Sequence, residues 1–242
     1  VSTDGSVDWF CCPRFDSPTV CGALLDDEKG GHFRIRPALD TYDAKQMYHP
    51  DTAVLITRFI TESGVSEVLD FMPPAGPDVT DRHRIVRMMR CVRGAMSFDV
   101  DIAPRFDYGR TRHALHIGDH GAVFATDDLT LTLHGVREPG DPPPNHVAVD
   151  DGDLRVRVDL KAGDLRGFVL EAGADGPPRK LRVADLQGLF DETVGFWRIW
   201  LGRSTYKGRW REMLGRSAIT LKLMTYRPTG ALVAAPTAAL PE

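Results

Sequence analysis

The sequence predicts a mainly β fold, an antiparallel sandwich or barrel, followed by two helices. From residue 6 to about residue 171, short runs rich in β-branched and aromatic residues alternate with Gly, Pro and Asp turns. No helical period separates these runs, which favours an antiparallel arrangement over a βαβ fold. After Gly176-Pro177-Pro178 the apolar spacing changes from two to about three and a half, which indicates helices.

The predicted strands follow one another closely along the chain. They span residues 31–36, 53–61, 65–71, 84–93, 97–102, 121–126, 129–133, 154–160 and 165–170. Three short turns separate neighbouring runs as hairpins require: Glu62-Ser63-Gly64, Asp151-Gly152 and Ala162-Gly163-Asp164. Segments 73–78 and 139–144 are predicted to be longer irregular loops within the same domain.

Two amphipathic helices are predicted after the strands. The first places these residues on one face: Leu186, Leu189 or Phe190, Val194, Trp197, and Trp200 or Leu201. The second, from about Trp210 to Tyr226, carries a broader apolar surface made of Met213, Leu214, Ala218, Ile219, Leu221, Leu223 and Met224. The residues after Gly230 are too few to cover that surface, and leaving it wet would cost several kcal/mol at ~25 cal/mol per Å². We therefore expect the second helix to pack against a partner beyond this sequence.

Charge and composition exclude several function classes. Lys+Arg number 30 and Asp+Glu 34, giving a net charge of −4, and the arginines alternate with acids along predicted strands, which is unlike a nucleic-acid surface. No apolar run approaches the roughly 20 residues of a membrane helix, and the first residues lack the basic, apolar and small-residue segments that are typical of a signal peptide. We therefore expect a cytoplasmic protein with no nucleic-acid or membrane partner.

Cysteine and histidine patterns give no clear metal site. Cys11, Cys12, Cys21 and Cys91 lack a regular spacing and are expected to be free thiols, with a metal site or disulfide as the less favoured alternative. The group His113, His116 and His120 would diverge on a strand and its turn, because neighbouring strand positions face opposite sides. No metal and no cofactor is expected.

Two similar tracts are the candidate substrate-proximal residues. Pro13 to Pro18 contains Arg14, Phe15 and Asp16, and Pro104 to Arg110 contains Arg105, Asp107 and Tyr108. A guanidinium, an aromatic ring and a carboxylate within four residues can bind a sugar by stacking and hydrogen bonding. The favoured interpretation is structural: an Arg–Asp pair locks each turn and Phe anchors it in the core.

Self-contained catalytic motifs are absent from the sequence. There is no Gly-rich phosphate loop, no Gly-x-Ser-x-Gly and no His-Glu-x-x-His. Adjacent acids that could in principle serve glycoside cleavage occur at 26–28, 127–128 and 150–151, but their positions are typical of solvated turns. We assign no catalytic residue.

The two ends of the chain resemble one known family. The opening Ser2-Thr3-Asp4-Gly5-Ser6-Val7-Asp8-Trp9-Phe10-Cys11-Cys12-Pro13-Arg14-Phe15-Asp16-Ser17-Pro18 is similar to the N-terminal domain of bacterial trehalase-like and glucoamylase-like proteins of glycoside hydrolase family 15. Segments 206–210, 216–223 and 229–237 resemble that family's linker and first barrel helix. Cys11-Cys12 and Ala238-Ala239 depart from the family pattern.

The resemblance implies a domain organisation and a chemistry. It implies a β-sandwich of the super-sandwich type at 1–175, a helical linker at 176–207 and, at 208–242, the first helix of an incomplete α/α barrel. The family cleaves α-glucosidic bonds with inversion, using one Glu as general acid and another as general base. Those residues and a Trp-x-Arg-Asp tract belong to the rest of the barrel, so Glu242 is not catalytic.

Three functional hypotheses follow. The leading one is a non-catalytic N-terminal domain of a trehalase or glucoamylase-like hydrolase that supports the barrel and borders its active site. The alternatives are a stand-alone carbohydrate-binding module and a purely structural domain. The expected partners are the missing C-terminal barrel of the same polypeptide and, through it, an α-glucoside, with a homo-oligomer left open.

Overall fold

The structure is a computed structural model that describes residues 1–75, 83–138, 140–141, 146–173, 176–238 and 240. Parts of the predicted loops at 73–78 and 139–144 lie outside the described residues, as do the predicted domain boundary at 175, Ala239 and Glu242. The remaining segments form an antiparallel β body with its long helices near the C-terminal end. The predicted fold class is confirmed.

Sixteen strands and three helical segments make up the described part of the chain. The strands are β1 (Ser6–Val7), β2 (Phe10–Cys11), β3 (Thr19–Cys21), β4 (His32–Pro37), β5 (Asp43–Tyr48), β6 (Leu55–Ile60), β7 (Gly64–Phe71), β8 (His83–Ala103), β9 (Ala114–Gly118), β10 (Gly121–Ala125), β11 (Thr130–Val136), β12 (His146–Asp150), β13 (Asp153–Lys161), β14 (Leu165–Ala172), β15 (Thr225–Tyr226) and β16 (Ala231–Leu232). The helical segments are α1 (Phe106–Gly109), α2 (Val183–Leu201) and α3 (Arg211–Leu223).

Two antiparallel layers share strand β8. The first layer has the order β5-β6-β7-β8-β14-β11-β10-β9. In the second layer, β8 lies between β4 and β13, with β1 next to β4 and β12 next to β13. The predicted hairpins at 62–64 and 151–152 join strands that pair with each other, β6 with β7 and β12 with β13. The turn at 162–164, also predicted as a hairpin, instead connects the two layers, because β13 pairs with the second half of β8 and β14 with its first half.

Strand β8 corrects one sequence prediction. The runs 84–93 and 97–102, predicted as two strands, form one strand from His83 to Ala103. Its first half pairs with β7 and β14, and its second half pairs with β4 and β13. Gly94 has a φ of 72° and lies opposite Gly64 near a register shift in β7. The strand therefore bends from one layer into the other where only glycine fits.

The central strands of the first layer are buried on both faces. On β7, Val68 packs into the cluster between the two layers, whereas its neighbour Leu69 packs into a second cluster with Leu186 and Val194 of α2. The alternation of side chains along a strand makes this possible. Helix α2 thus covers the outer face of the first layer, as its apolar stripe predicted.

A buried arginine ties the layers together. Arg87 is fully buried, and its Nε donates to Asp70 Oδ1 at 2.7 Å while Nη2 donates to the carbonyl of Gly5 at 2.6 Å. Its Nη1 donates to the carbonyl of Phe33. The guanidinium therefore joins the N-terminal segment, β4 and the first layer through one set of hydrogen bonds.

Helix α3 leaves much of its apolar surface uncovered by the described residues. Ile219 is buried, and Arg216 lies 3.7 Å from the ring centroid of Tyr48, so this side of the helix contacts the β body. Met213 and Leu221 remain 63% and 57% exposed. The predicted uncovered face is present, although Ile219, predicted to widen it, is the residue that packs inward. No helix in the described part of the chain is long and apolar enough to cross a membrane.

Candidate functional site

The first tract forms an exposed turn that begins after a cis Cys12–Pro13 peptide bond. Arg14 Nε donates to Asp16 Oδ1 at 2.8 Å, and the amide of Arg14 donates to the hydroxyl of Ser17 at 3.1 Å. The side chains of Arg14 and Asp16 are about half exposed, and Phe15 is only partly buried. The turn is thus closed by its own charged pair, with the pair accessible to a ligand or partner.

The second tract is held by a different set of contacts. Arg105 does not pair with Asp107; its Nη2 donates to Asp153 Oδ2 at 2.9 Å. Asp107 instead accepts from Arg110 Nη2 at 2.7 Å, and Phe106 is buried in the core. The residues that follow Phe106 therefore form a separate, partly exposed turn next to the buried ring of Phe106.

This turn has an unusual backbone. Asp107 and Tyr108 have φ values of 51° and 56°, and Gly109 follows at 79°. A bulky residue in the left-handed region is rare and costs on the order of 1–3 kcal/mol. The contacts of Arg110 with the backbone and side chain of Asp107 help to hold this geometry. The guanidinium of Arg110 lies over the ring of Tyr108, 5.6 Å from the ring centroid.

The fold brings the two tracts to one surface. The amide of Arg105 donates to the carbonyl of Val20 in β3 at 2.8 Å, and β3 pairs with β2, which leads into the first tract. Asp16 lies close enough to Cys11 of β2 for its charge to help raise the pKa of that thiol, and Cys11 in turn contributes to the raised pKa of Tyr108. We call Arg14, Phe15, Asp16, Arg105, Asp107 and Tyr108 the tract surface. Nothing in the sequence predicted that these six residues would lie near one another.

Electrostatics limits what the tract surface can do chemically. The hydrogen bond from Arg14 holds the pKa of Asp16 below its usual range, so this carboxylate stays ionised. Burial, followed by the charge of Asp16, raises the pKa of Cys11 to about 11, and burial raises that of Tyr108. A protonated thiol is a poor nucleophile. The surface can accept and donate hydrogen bonds and offer an aromatic ring, which suits contact rather than catalysis.

The C-terminal segment reaches the same region of the molecule. Trp9 Nε1 donates to the carbonyl of Pro236 at 2.9 Å, across 227 residues of sequence. Trp9 directly precedes β2, so the segment after β16 passes close to the strand that leads into the first tract. Sequence spacing gave no signal for this contact, because the partner is a backbone carbonyl.

The other sequence candidates do not assemble into a site. His113 Nε2 lies 3.0 Å from the carbonyl of Gly152, and its ring packs against Phe106 and Phe124. Among the described residues, no three His, Cys, Asp or Glu side chains are placed to hold a metal ion. Asp26 accepts from the amides of the next turn.

Two further carboxylates with shifted pKa values are structural. Glu67 is buried, which alone would raise its pKa, but hydrogen bonds from Arg58 and Arg90 outweigh burial and lower it. Burial would also raise the pKa of Asp101, but a hydrogen bond from His32 outweighs burial and lowers it. Both groups are held ionised, whereas a general acid needs a raised pKa.

Comparisons with known proteins match the chain to one family and to several trehalases. Residues 1–138 match the family described as "Trehalase-like, N-terminal". The whole chain is 33% identical over 248 residues to a trehalase of Thermoplasma acidophilum, covering 40% of that protein. It is 32% identical over 270 residues to a trehalase of Mycolicibacterium smegmatis, covering 38% of that protein. The chain therefore spans about two fifths of the length of these relatives.

Proposed function

Because the chain belongs to the family of trehalase-like N-terminal domains, we propose that it is the non-catalytic N-terminal part of an inverting α-glucoside hydrolase of trehalase or glucoamylase type. In this proposal, residues 1–175 form the sandwich domain, 176–207 the helical linker and 208–242 the beginning of an α/α barrel. The remainder of the barrel binds and cleaves the α-glucoside. The trehalases that this chain resembles are more than twice its length, which supports a catalytic region outside it.

The observation that carries the proposal is the exposed face of α3. Met213, Leu214 and Leu221 are 45–63% exposed on a helix whose opposite side packs on the β body. Such a face is costly in water at ~25 cal/mol per Å² of apolar area. Further helices of the same polypeptide would bury it and complete the barrel.

The tract surface is proposed to border the active site of that barrel. The hydrogen bond from Trp9 Nε1 to the carbonyl of Pro236 holds the segment after α3 beside β2, and β2 leads into the first tract. The ionised Asp16 and the Tyr108 ring suit hydrogen bonding and stacking with a sugar or with a barrel loop. The catalytic acid and base are supplied by the barrel.

The first experiment uses the chain by itself. We expect no hydrolysis of trehalose or maltose, and no heat on calorimetric titration with either sugar, because the tract surface supplies neither a general acid nor an enclosed pocket. Hydrolysis would overturn the proposal. Binding without hydrolysis would instead support a stand-alone carbohydrate-binding module.

The second experiment uses the chain continued to the length of its relatives. Asp16→Asn and Tyr108→Phe are expected to raise KM for the preferred glucoside more than they lower kcat, because both groups are proposed to contact sugar or the rim of the site. Asp99→Asn is the matched control, since Asp99 forms an exposed pair with Arg157 on the second layer. Equal effects of Asp16→Asn and Asp99→Asn would refute the assignment of the tract surface.

We also propose a cytoplasmic location. None of Cys11, Cys12, Cys21 and Cys91 forms a disulfide in the structure, and three of the four are buried, which is typical of proteins from reducing compartments. Fractionation of producing cells tests this; recovery in the periplasm or medium would refute it.

A further inference from the structure

Strand β12 presents an open backbone edge at the end of the second layer. It pairs only with β13 among the described residues, and all five of its residues are exposed. Natural sheets protect such edges with Lys, Pro or a bulge. The sequence His146-Val147-Ala148-Val149-Asp150 contains no Lys or Pro, and its pairing with β13 is regular.

The turn after β12 fixes which of its backbone groups face outward. Asp151 and Gly152 have φ values of 46° and 85°, which fits the two-residue hairpin turn of type I′. The residues that flank such a turn, Asp150 and Asp153, form a hydrogen-bonded pair. Because these pairs alternate along an antiparallel ladder, Val147 and Val149 direct their N–H and C=O groups to the open edge.

The edge is self-complementary about one residue. If a second copy pairs antiparallel with β12 about a twofold axis at Ala148, Val147 lies opposite Val149 of the second copy. These are the residues with outward backbone groups, and each such pair exchanges two hydrogen bonds. The same register places His146 opposite Asp150 of the second copy at both ends, which lets an imidazole N–H donate to a carboxylate across the interface.

The side chains on the inner face of β12 also need cover. Val147 and Val149 are 51% and 53% exposed, and Ile117 on the edge strand β9 of the other layer is 52% exposed. Val147 and Ile117 line the same cavity of about 210 Å³ between the two layers. Joining two sandwiches edge to edge would bring the apolar rims of both copies together.

We propose that β12 is a homodimer interface, in which two copies of this chain pair antiparallel about Ala148 and extend the second layer from one copy into the other. The interface is isologous, so each copy contributes the same residues. It is independent of the proposed hydrolase role, because it involves neither the tract surface nor α3. It also gives the homo-oligomer a specific geometry.

Disulfide cross-linking tests the register. In the proposed dimer Ala148 faces Ala148 of the second copy in a pair that is not hydrogen-bonded, with Cα atoms about 4.5 Å apart, which lies within the range that a disulfide spans. Ala148→Cys should therefore give a covalent dimer on mild oxidation. Val149→Cys is the matched control, because position 149 lies opposite Val147 of the second copy and the two introduced thiols stay apart. The unmodified chain, oxidised in the same way, shows how much cross-linking comes from the native cysteines.

A charge exchange tests the same register without cross-linking. Asp150→Lys should weaken dimerisation in sedimentation velocity severalfold, since at both ends it replaces the carboxylate opposite His146 of the second copy by a cation that cannot accept a hydrogen bond. Adding His146→Glu, which places a carboxylate opposite that cation, should restore dimerisation. Thermal unfolding checks that each variant is folded. Equal cross-linking of Ala148→Cys and Val149→Cys, or failure of the double variant to recover dimerisation lost in Asp150→Lys, would overturn the proposal.

Discussion

Replacing Arg87 by Met is expected to destabilise the fold strongly. Arg87 is fully buried and donates to Asp70 Oδ1 at 2.7 Å, to Asp70 Oδ2 at 3.3 Å and to the carbonyl of Gly5 at 2.6 Å. Methionine fills part of the volume but donates no hydrogen bond. The substitution therefore leaves the carboxylate of Asp70, which is 5% exposed, without its cation.

The magnitude follows from this uncompensated charge. Removing one partner of a buried ion pair costs about 3–5 kcal/mol, which for a chain of this length lowers the melting temperature by roughly 6–20 °C. Urea unfolding followed by circular dichroism gives the free energy directly. The control is Arg157→Met, because Arg157 forms an exposed pair with Asp99 and such pairs contribute at most about 1 kcal/mol.

A double variant separates the charge effect from lost packing. Arg87→Met combined with Asp70→Leu removes both charges, so it should be more stable than Arg87→Met alone, although the carbonyls of Gly5 and Phe33 remain without their donor. If Arg87→Met costs no more than Arg157→Met, or if the double variant is less stable than the single one, the buried pair does not stabilise the two layers as described.

Three further predictions concern the sandwich. Gly94→Ala should cost more than about 2 kcal/mol in urea unfolding, because its Cβ would lie 2.0 Å from the carbonyl oxygen of Ser63 at a φ of +72°. Gly188→Ala in α2 should instead stabilise the fold by about 1 kcal/mol, because the added Cβ would have no neighbouring atom within 4 Å. If Gly188→Ala destabilised the fold more than Gly94→Ala does, the bend at Gly94 would be refuted. Although burial opposes it, hydrogen bonds from two arginines lower the pKa of Glu67. The ionised carboxylate therefore stabilises the fold above about pH 4.5, and this stabilisation is lost as pH falls through the lowered pKa. Glu67→Gln should lower the free energy of unfolding at pH 7, and the same difference between variant and wild type in acid would contradict this. Burial lowers the pKa of His134 from 6.5, so stability should fall as pH drops below about 6.5, and His134→Gln should flatten that dependence in unfolding experiments at pH 5–7.5.

The hydrophobic pattern predicted most of the secondary structure. Gly and Asp residues predicted the hairpin turns at 62–64 and 151–152, and the spacing of Leu186, Val194 and Trp197 predicted α2. The turn at 162–164 was predicted in place, but it joins strands of different layers rather than a hairpin. The pattern missed strands β5, β9 and β12, and it predicted two strands, 84–93 and 97–102, where β8 continues through Gly94. A glycine with positive φ can end a strand or bend it, and only the pairing of both halves of β8 decides between the two.

The sequence identified the residues of the candidate site but did not predict that they lie near one another. The sequence singled out Arg14, Asp16 and Tyr108 as members of two similar tracts, and it placed an Arg–Asp pair in the first. In the second tract, Arg105 pairs with Asp153, 48 residues away. Local spacing cannot identify such a partner, because β13 reaches Arg105 only through its register on β8.

The sequence by itself determined the mainly antiparallel fold, the two helices with an uncovered face on the second, and the resemblance to trehalase-like N-terminal domains. These depend on local periodicity and on motifs that are contiguous in the chain. The tertiary structure decided that β8 belongs to both layers, that the two tracts share one surface, and that Trp9 meets Pro236. Each of these joins groups far apart in sequence, whose proximity is set by strand register and packing rather than by any pattern within a short segment.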